Sequence, residues 1–195
     1  MLLSTAEGKP VSTFNACGTK PFQGAGPVSF TAEAKIDFVY PEVPFPTDAL
    51  YKGWGEANIR AMVRYHHALL RKSVIGSLFP ADDAAFVFAT EKTADFFVEA
   101  LGGEKAYTPT HGHPALRMRH FHITIDEKGR EIWLMMYKKT INDLKMPPEY
   151  IEEFWNWIEP LSIRMINRRT TVADIERHPY GSIWMKSVSI DKEEN

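Results

Sequence analysis

The chain has 195 residues, 44% of them hydrophobic and 12% aromatic, which suffices for one domain of the usual ~100–150 residues with extensions. Its 23 basic and 25 acidic side chains leave a net charge of −2, too small a field to gather nucleic acid or an anionic membrane. Cys17 is the single cysteine, so the chain cannot form an internal disulfide, and a cytoplasmic setting follows as the expectation.

The N-terminus MLLSTAEGKPV lacks the basic head and apolar run of a signal peptide. No apolar run approaches the ~20 residues that cross a bilayer. Residues 1–48 are rich in glycine and proline and hold no sustained apolar period, so they are expected to form an extension. Within it, VSF and IDFVY could make short strands or pack as an arm.

From Asp48 the pattern becomes helical. Ile59, Met62, Val63, His66, Leu69 and Leu70 recur at three- and four-residue steps and mark one side of a helix, closed by Gly76 and Pro80. A second helix follows Asp82 and Asp83, whose charges suit a helix N-terminus. Its inward stripe is predicted as Phe86, Ala89, Thr93, Phe96 or Phe97, and Ala100, ending at Gly102-Gly103. Residues 104–114, EKAYTPTHGHP, read as a loop, and ALRMRHF as a short helical turn or two.

Thr124 and Glu127 have the spacing of a capping box, which predicts a helix whose buried side carries Ile132, Trp133, Met136, Tyr137 and Ile141. The last helix starts at Pro147-Pro148, with an apolar seam of Ile151, Phe154, Ile158, Leu161 and Met165 and a kink expected at Pro160. The divisions are therefore an extension at 1–48, an all-α domain at 49–170 and a tail at 171–195.

The sequence contains no glycine-rich phosphate loop, no serine nucleophile elbow and no kinase-like set. Asp82-Asp83 and Glu152-Glu153 read as helix-start charges and a solvated face. Four of the seven histidines fall in HGHPALRMRHFH. A zinc site needs three or four converging ligands and finds no cysteine partners here, whereas one axial imidazole is enough to hold haem iron. His120 has apolar neighbours in Leu116, Phe121 and the methionines, including Met118, while Arg117 and Arg119 could meet carboxylates of such a group. Trp133 is ordinary core packing or an indole donor to a bound diatomic ligand. Of His66-His67, successive helical positions about 100° apart, only one can face a central pocket squarely. Lys92 is a surface lysine or snorkels to an acidic cofactor edge.

Taken together, GWGEANIRAMVRYHHALLRKS…IGSLFPADD, the GG and Tyr107 before GHPALRMRHF, and REIWLMM resemble the group II truncated haemoglobins over residues 50–169. The run GHPALRMRHF, with a tryptophan thirteen residues after its histidine, is the most specific part. The resemblance implies a two-on-two helical sandwich around haem b. In that scheme His120 is the proximal iron ligand, Arg119 lies beside the propionates, Lys92 approaches them from the distal helix, and Trp133 is the distal tryptophan. Phe79 packs on the haem, and Ala89 and Thr93 line the distal face.

The second helix departs from the family pattern, with His66-His67 in place of Phe-Tyr. Aligning IRAMV puts His67 on the ligand-facing tyrosine and counting back from Phe79 points to His66; His67 is the favoured distal group. An imidazole there can donate to bound oxygen, shuttle a proton or bind the iron itself. Reversible binding of O2, NO or CO is the first functional expectation. Nitric oxide dioxygenation or peroxide chemistry, which needs an external reductase, and a gas or redox sensor with a displaceable histidine are the alternatives. The extensions cover a pocket mouth or build a homodimer interface.

Overall fold

Helix-forming sequence begins where the proline-rich segment ends, and the computed structural model, which describes residues 39–183, places its first helix there. Helix α1 (Ala49–Trp54) is followed directly by α2 (Glu56–Arg71), the two separated by Gly55 at φ 87°. A 3-10 turn (Gly76–Leu78) leads to α3 (Asp83–Ala100), and two one-turn helices follow, α4 (Thr108–His111) and α5 (Leu116–Arg119). Two long helices, α6 (Glu127–Asp143) and α7 (Pro148–Met165), complete an all-helical two-on-two sandwich with no strand among the described residues. Helix α2 packs on both α3 and α6, and α6 packs on α7.

The expected stripe of α2 is the observed one: Ile59, Met62, Val63, His66 and Leu70 are buried. Asp82 caps α3 by accepting from the Ala85 N–H at 2.7 Å, and Asp83 pairs with Arg71. The far end of α3 closes as a Schellman turn, with Gly103 N–H on Val98 O at 2.9 Å and Gly102 N–H on Glu99 O at 3.2 Å. Gly102 sits at φ 90°, and a Cβ there would come within 2.4 Å of Asp48 Cβ, so both the turn and the close approach require glycine.

Three local expectations are corrected. Of the stripe predicted for α3 only Phe97 is buried, together with Thr90, Ala94 and Val98, while Phe86, Ala89, Thr93, Phe96 and Ala100 are half-buried. The apolar surface of α3 is broad, and α2 takes the side next to the predicted one. The capping box at Thr124 and Glu127 does not form, because α6 starts later. Asp126 caps it through Gly129 N–H at 2.8 Å, and Glu127 instead accepts from Thr170. The 104–114 loop contains α4, whose proline falls in the first turn where its missing N–H costs nothing, and whose free N–H groups are met by the Glu99 carboxylate.

Helices α6 and α7 are buried on more faces than one apolar seam predicts. Trp155, Glu159, Ser162 and Ile163 of α7 and Arg130 of α6 are all buried. The cover is the segment after α7. Ile175 packs with Ile163 and Ile166, Trp155 Nε1 donates to His178 O at 2.7 Å, and Ile183 joins the main core. Under it, Arg130 and Glu159 form a buried ion pair, joined by Ser162 Oγ at 2.8 Å from Arg130 and by Arg177 at 2.6 Å from Glu159. Burial alone would raise the Glu159 pKa; Arg177, the His178 N–H and Arg130 reverse this and hold the carboxyl below its usual range. Residues 175–183 are thus docked structure, although composition marks them as tail.

At the other end, Val43 packs against the core and Pro41 O accepts from Arg164 at 3.0 Å. The VSF segment and most of IDFVY lie outside the described residues, as does Cys17. No helix is long and apolar enough to cross a membrane among the described residues.

Candidate functional site

Helix α2 brings two adjacent imidazoles to different surroundings. His66 points into the core, stacked on Tyr137 with ring centroids 3.5 Å apart and edge-on to Trp133 at 5.2 Å. Its Nε2 lies 3.1 Å from Trp133 O, a carbonyl that can only accept, so that nitrogen carries the proton. Nδ1 is then a bare acceptor, buried and without a partner among the described residues. Burial, then the neighbouring His67, pull its pKa well below the usual imidazole value, against the Trp133 carbonyl. Tyr137 is pushed well above the usual phenol value by burial.

His67 turns to another side. Its ring meets Phe79 at 5.7 Å and Phe86 at 6.5 Å, edge to face, and its Nδ1 is also buried without a partner among the described residues. Burial and then the charge of His120 lower its pKa to about 4, so His67 is neutral at physiological pH. That electrostatic contact joins histidines 53 positions apart in the chain, one on α2 and one at the end of α5.

His120 follows a helix of only four residues, which begins after Ala115 in the left-handed region at φ 41°. Its Nδ1 lies 2.7 Å from Leu116 O. A carbonyl in that place fixes the proton on Nδ1 and leaves the Nε2 lone pair for a Lewis acid. The carbonyl of His120 is held in turn by Asn167 Nδ2 at 3.0 Å. Arg117 reaches back to Arg164 O at 2.8 Å and Ile166 O at 3.1 Å.

Arg119 donates to Pro114 O at 2.8 Å, His111 O at 2.8 Å and His113 O at 3.2 Å, so its guanidinium organises the loop ahead of the histidine. Tyr107 is buried against Phe96 and His111, with the Arg119 guanidinium 6.0 Å over its ring. Leu116 is half-buried, whereas Met118 and Phe121 are 67% and 61% exposed.

On α3, Ala89 and Thr93 are half-buried, and the Thr93 hydroxyl is taken up by Ala89 O at 2.9 Å. Lys92 has no ion pair or hydrogen bond among the described residues. Trp133 is half-buried, and Tyr137, one turn further along α6, shares its face at 4.5 Å. The structure therefore gathers His67, Phe79 and Phe86 on one side and His66, Trp133 and Tyr137 beside them, with His120 in electrostatic reach of His67. Asn167 had no motif to reveal it, while Tyr137 stood in the predicted apolar stripe of its helix.

These residues suit a flat apolar macrocycle holding one metal. One imidazole, His120, is oriented by a carbonyl for coordination, the neutral His67 ring lies within its electrostatic reach, and α3 offers a half-buried apolar face. No group of three or more histidine, cysteine, aspartate or glutamate side chains is placed to hold a bare metal ion among the described residues. A two-on-two helical sandwich that brings an oriented histidine near a second histidine and a set of aromatic rings is the architecture of a globin.

The chain belongs to the bacterial-like globin family, whose model matches residues 50–167. It is similar to Hell's Gate globin IV, in a phosphate-bound crystal structure, at 50% identity and a TM-score of 0.75, covering 77% of this chain and 94% of that one. The group 2 truncated hemoglobin YjbI of Bacillus subtilis strain 168 is 26% identical over 62% of this chain and 90% of its own. A structure of truncated oxygen-avid haemoglobin from Bacillus subtilis matches at 26% identity and a TM-score of 0.57, over 60% of this chain and 98% of that one. This is a haem-binding globin, and its relatives include truncated haemoglobins of group II.

Proposed function

We propose that this globin carries haem b through His120 Nε2 and reversibly binds a diatomic gas, chiefly oxygen, on the side of His67 and Trp133. The observation that carries the reading is the His120 Nδ1 to Leu116 O bond, which leaves Nε2 as the free base. Haem supplies a ferrous iron that takes up diatomic ligands. The chain supplies the rest. His120 anchors the iron, Phe79 and Phe86 keep water from the distal side, and His67, neutral at physiological pH, can donate one hydrogen bond to a ligand. His66 steadies Trp133 by bonding its carbonyl. Lys92, with no partner of its own among the described residues, is suited to a propionate. The similarity to a haemoglobin described as oxygen-avid supports oxygen over the other gases.

The unpartnered Nδ1 of His67 favours a second reading, in which that ring occupies the sixth iron position until a gas displaces it. Absorption spectra of the haem-loaded protein, oxidised, reduced and with carbon monoxide, test both. A five-coordinate ferrous spectrum that shifts on adding carbon monoxide supports reversible gas binding with a free distal side. A six-coordinate ferrous spectrum that becomes five-coordinate in His67→Leu supports the displaceable histidine. Absence of a Soret band after haem titration contradicts both.

A further inference from the structure

Four-residue helices do not hold their own shape, because the nucleation cost of a helix is recovered only over several further turns. The histidine at the end of α5 must therefore take its position from elsewhere. We infer that Asn167 is a positioning residue for His120: its carboxamide locks the segment that follows the histidine onto the end of α7.

The geometry is a complete match of donors and acceptors. Asn167 Nδ2 donates to His120 O at 3.0 Å and to Ile123 O at 2.8 Å, and Oδ1 accepts from Ile125 N–H at 3.0 Å. Two carbonyls against one nitrogen and an N–H against the oxygen admit a single orientation of the amide. The backbone repeats the connection, with the N–H groups of Asn167 and Arg168 both on Ile125 O at 3.0 and 3.1 Å. Just upstream, Arg117 ties α5 to the carbonyls of Arg164 and Ile166. Ile166 itself is buried with Ile163 and Ile175. The template is thus anchored partly by Ile175, beyond the 50–167 span of the family match.

Asn167→Asp tests this at nearly constant shape. The exchange puts an acceptor where the two carbonyls need donors, so the 120–125 segment should loosen while the helices persist. In the full chain before haem is added, hydrogen exchange at the Ile125 amide should quicken by roughly tenfold or more, the equivalent of losing one or two hydrogen bonds. In the haem-loaded protein, the iron–histidine stretching band should shift or broaden and haem transfer to an acceptor apoprotein should quicken by a similar factor. Unchanged exchange at Ile125, or an unaltered iron–histidine band, overturns the inference.

If Asn167→Asp does not fold, the wild-type chain decides the matter. Its Asn167 side-chain amide protons should exchange far more slowly than those of exposed Asn156, and equal rates would overturn the clamp. The role as a guide for an iron ligand rests on the haem reading above. The exchange measurements need no haem, so a wild-type protein that fails to bind haem but protects Ile125 would sink that reading and leave the clamp standing.

Discussion

His67 and His120 lie within electrostatic reach of each other but stand on elements built in opposite ways. His67 stands on α2, a sixteen-residue helix held by its own hydrogen bonds and a continuous buried stripe. His120 stands at the end of a four-residue helix, and side chains from distant parts of the chain fix it: Asn167, Arg117 and the packing around Ile166. Periodic structure carries its own instructions in a short stretch of sequence. A side chain on irregular chain depends on partners scattered through the sequence, so its weak points lie far from it.

The largest effect should come from the buried pair that holds the C-terminal segment against α6 and α7. Glu159→Ala leaves Arg130 charged and buried, and should lower unfolding stability by about 3–5 kcal/mol in urea denaturation. A loss under ~1 kcal/mol would show that residues 175–183 do not support α6 and α7. The pH dependence has a definite sign. The folded-state pKa of Glu159 lies below its unfolded value near 4.5, so its contribution is present above about pH 4.5 and lost as acid carries the pH down through the folded value. Stability of Glu159→Gln should accordingly fall less steeply than wild type below that pH.

Asp126→Ala removes the single side-chain cap of α6 and should cost about 1 kcal/mol, read as a lower thermal midpoint, with the predicted Thr124 unable to substitute. The smallest effect belongs to the exposed Arg64–Glu91 pair between α2 and α3. Despite two bonds at 2.6 and 2.7 Å, Arg64→Ala should change stability by less than ~1 kcal/mol, because water and salt screen it. A larger loss there would show that α2 also leans on its surface contacts and would weaken the contrast with α5.

What the sequence revealed follows the same division. The buried face of α2, the Asp82 start of α3 and its Gly102-Gly103 end are readable because each depends on residues within one or two turns. The face of α3 was displaced because its apolar residues cover two adjacent sides, and period alone does not say which side meets α2. The start of α6 was misplaced because Thr124 and Asp126 both offer a cap, and the choice between them depends on how Asn167 holds Ile125 and Thr170 holds Glu127. His120 and Trp133 were singled out through a family resemblance over a run of residues. Asn167 was not, since a lone asparagine after a helix has no local pattern and its three partners lie more than forty residues away.

Removal of the His120 ring with rescue by free imidazole tests the proposed coordinate bond from its Nε2 most directly. In His120→Gly the haem spectrum should lose its histidine-ligated form, and millimolar imidazole should restore it by filling the space the side chain left. A His120→Gly protein that binds haem with the wild-type spectrum, with no response to imidazole, would place the iron on another residue.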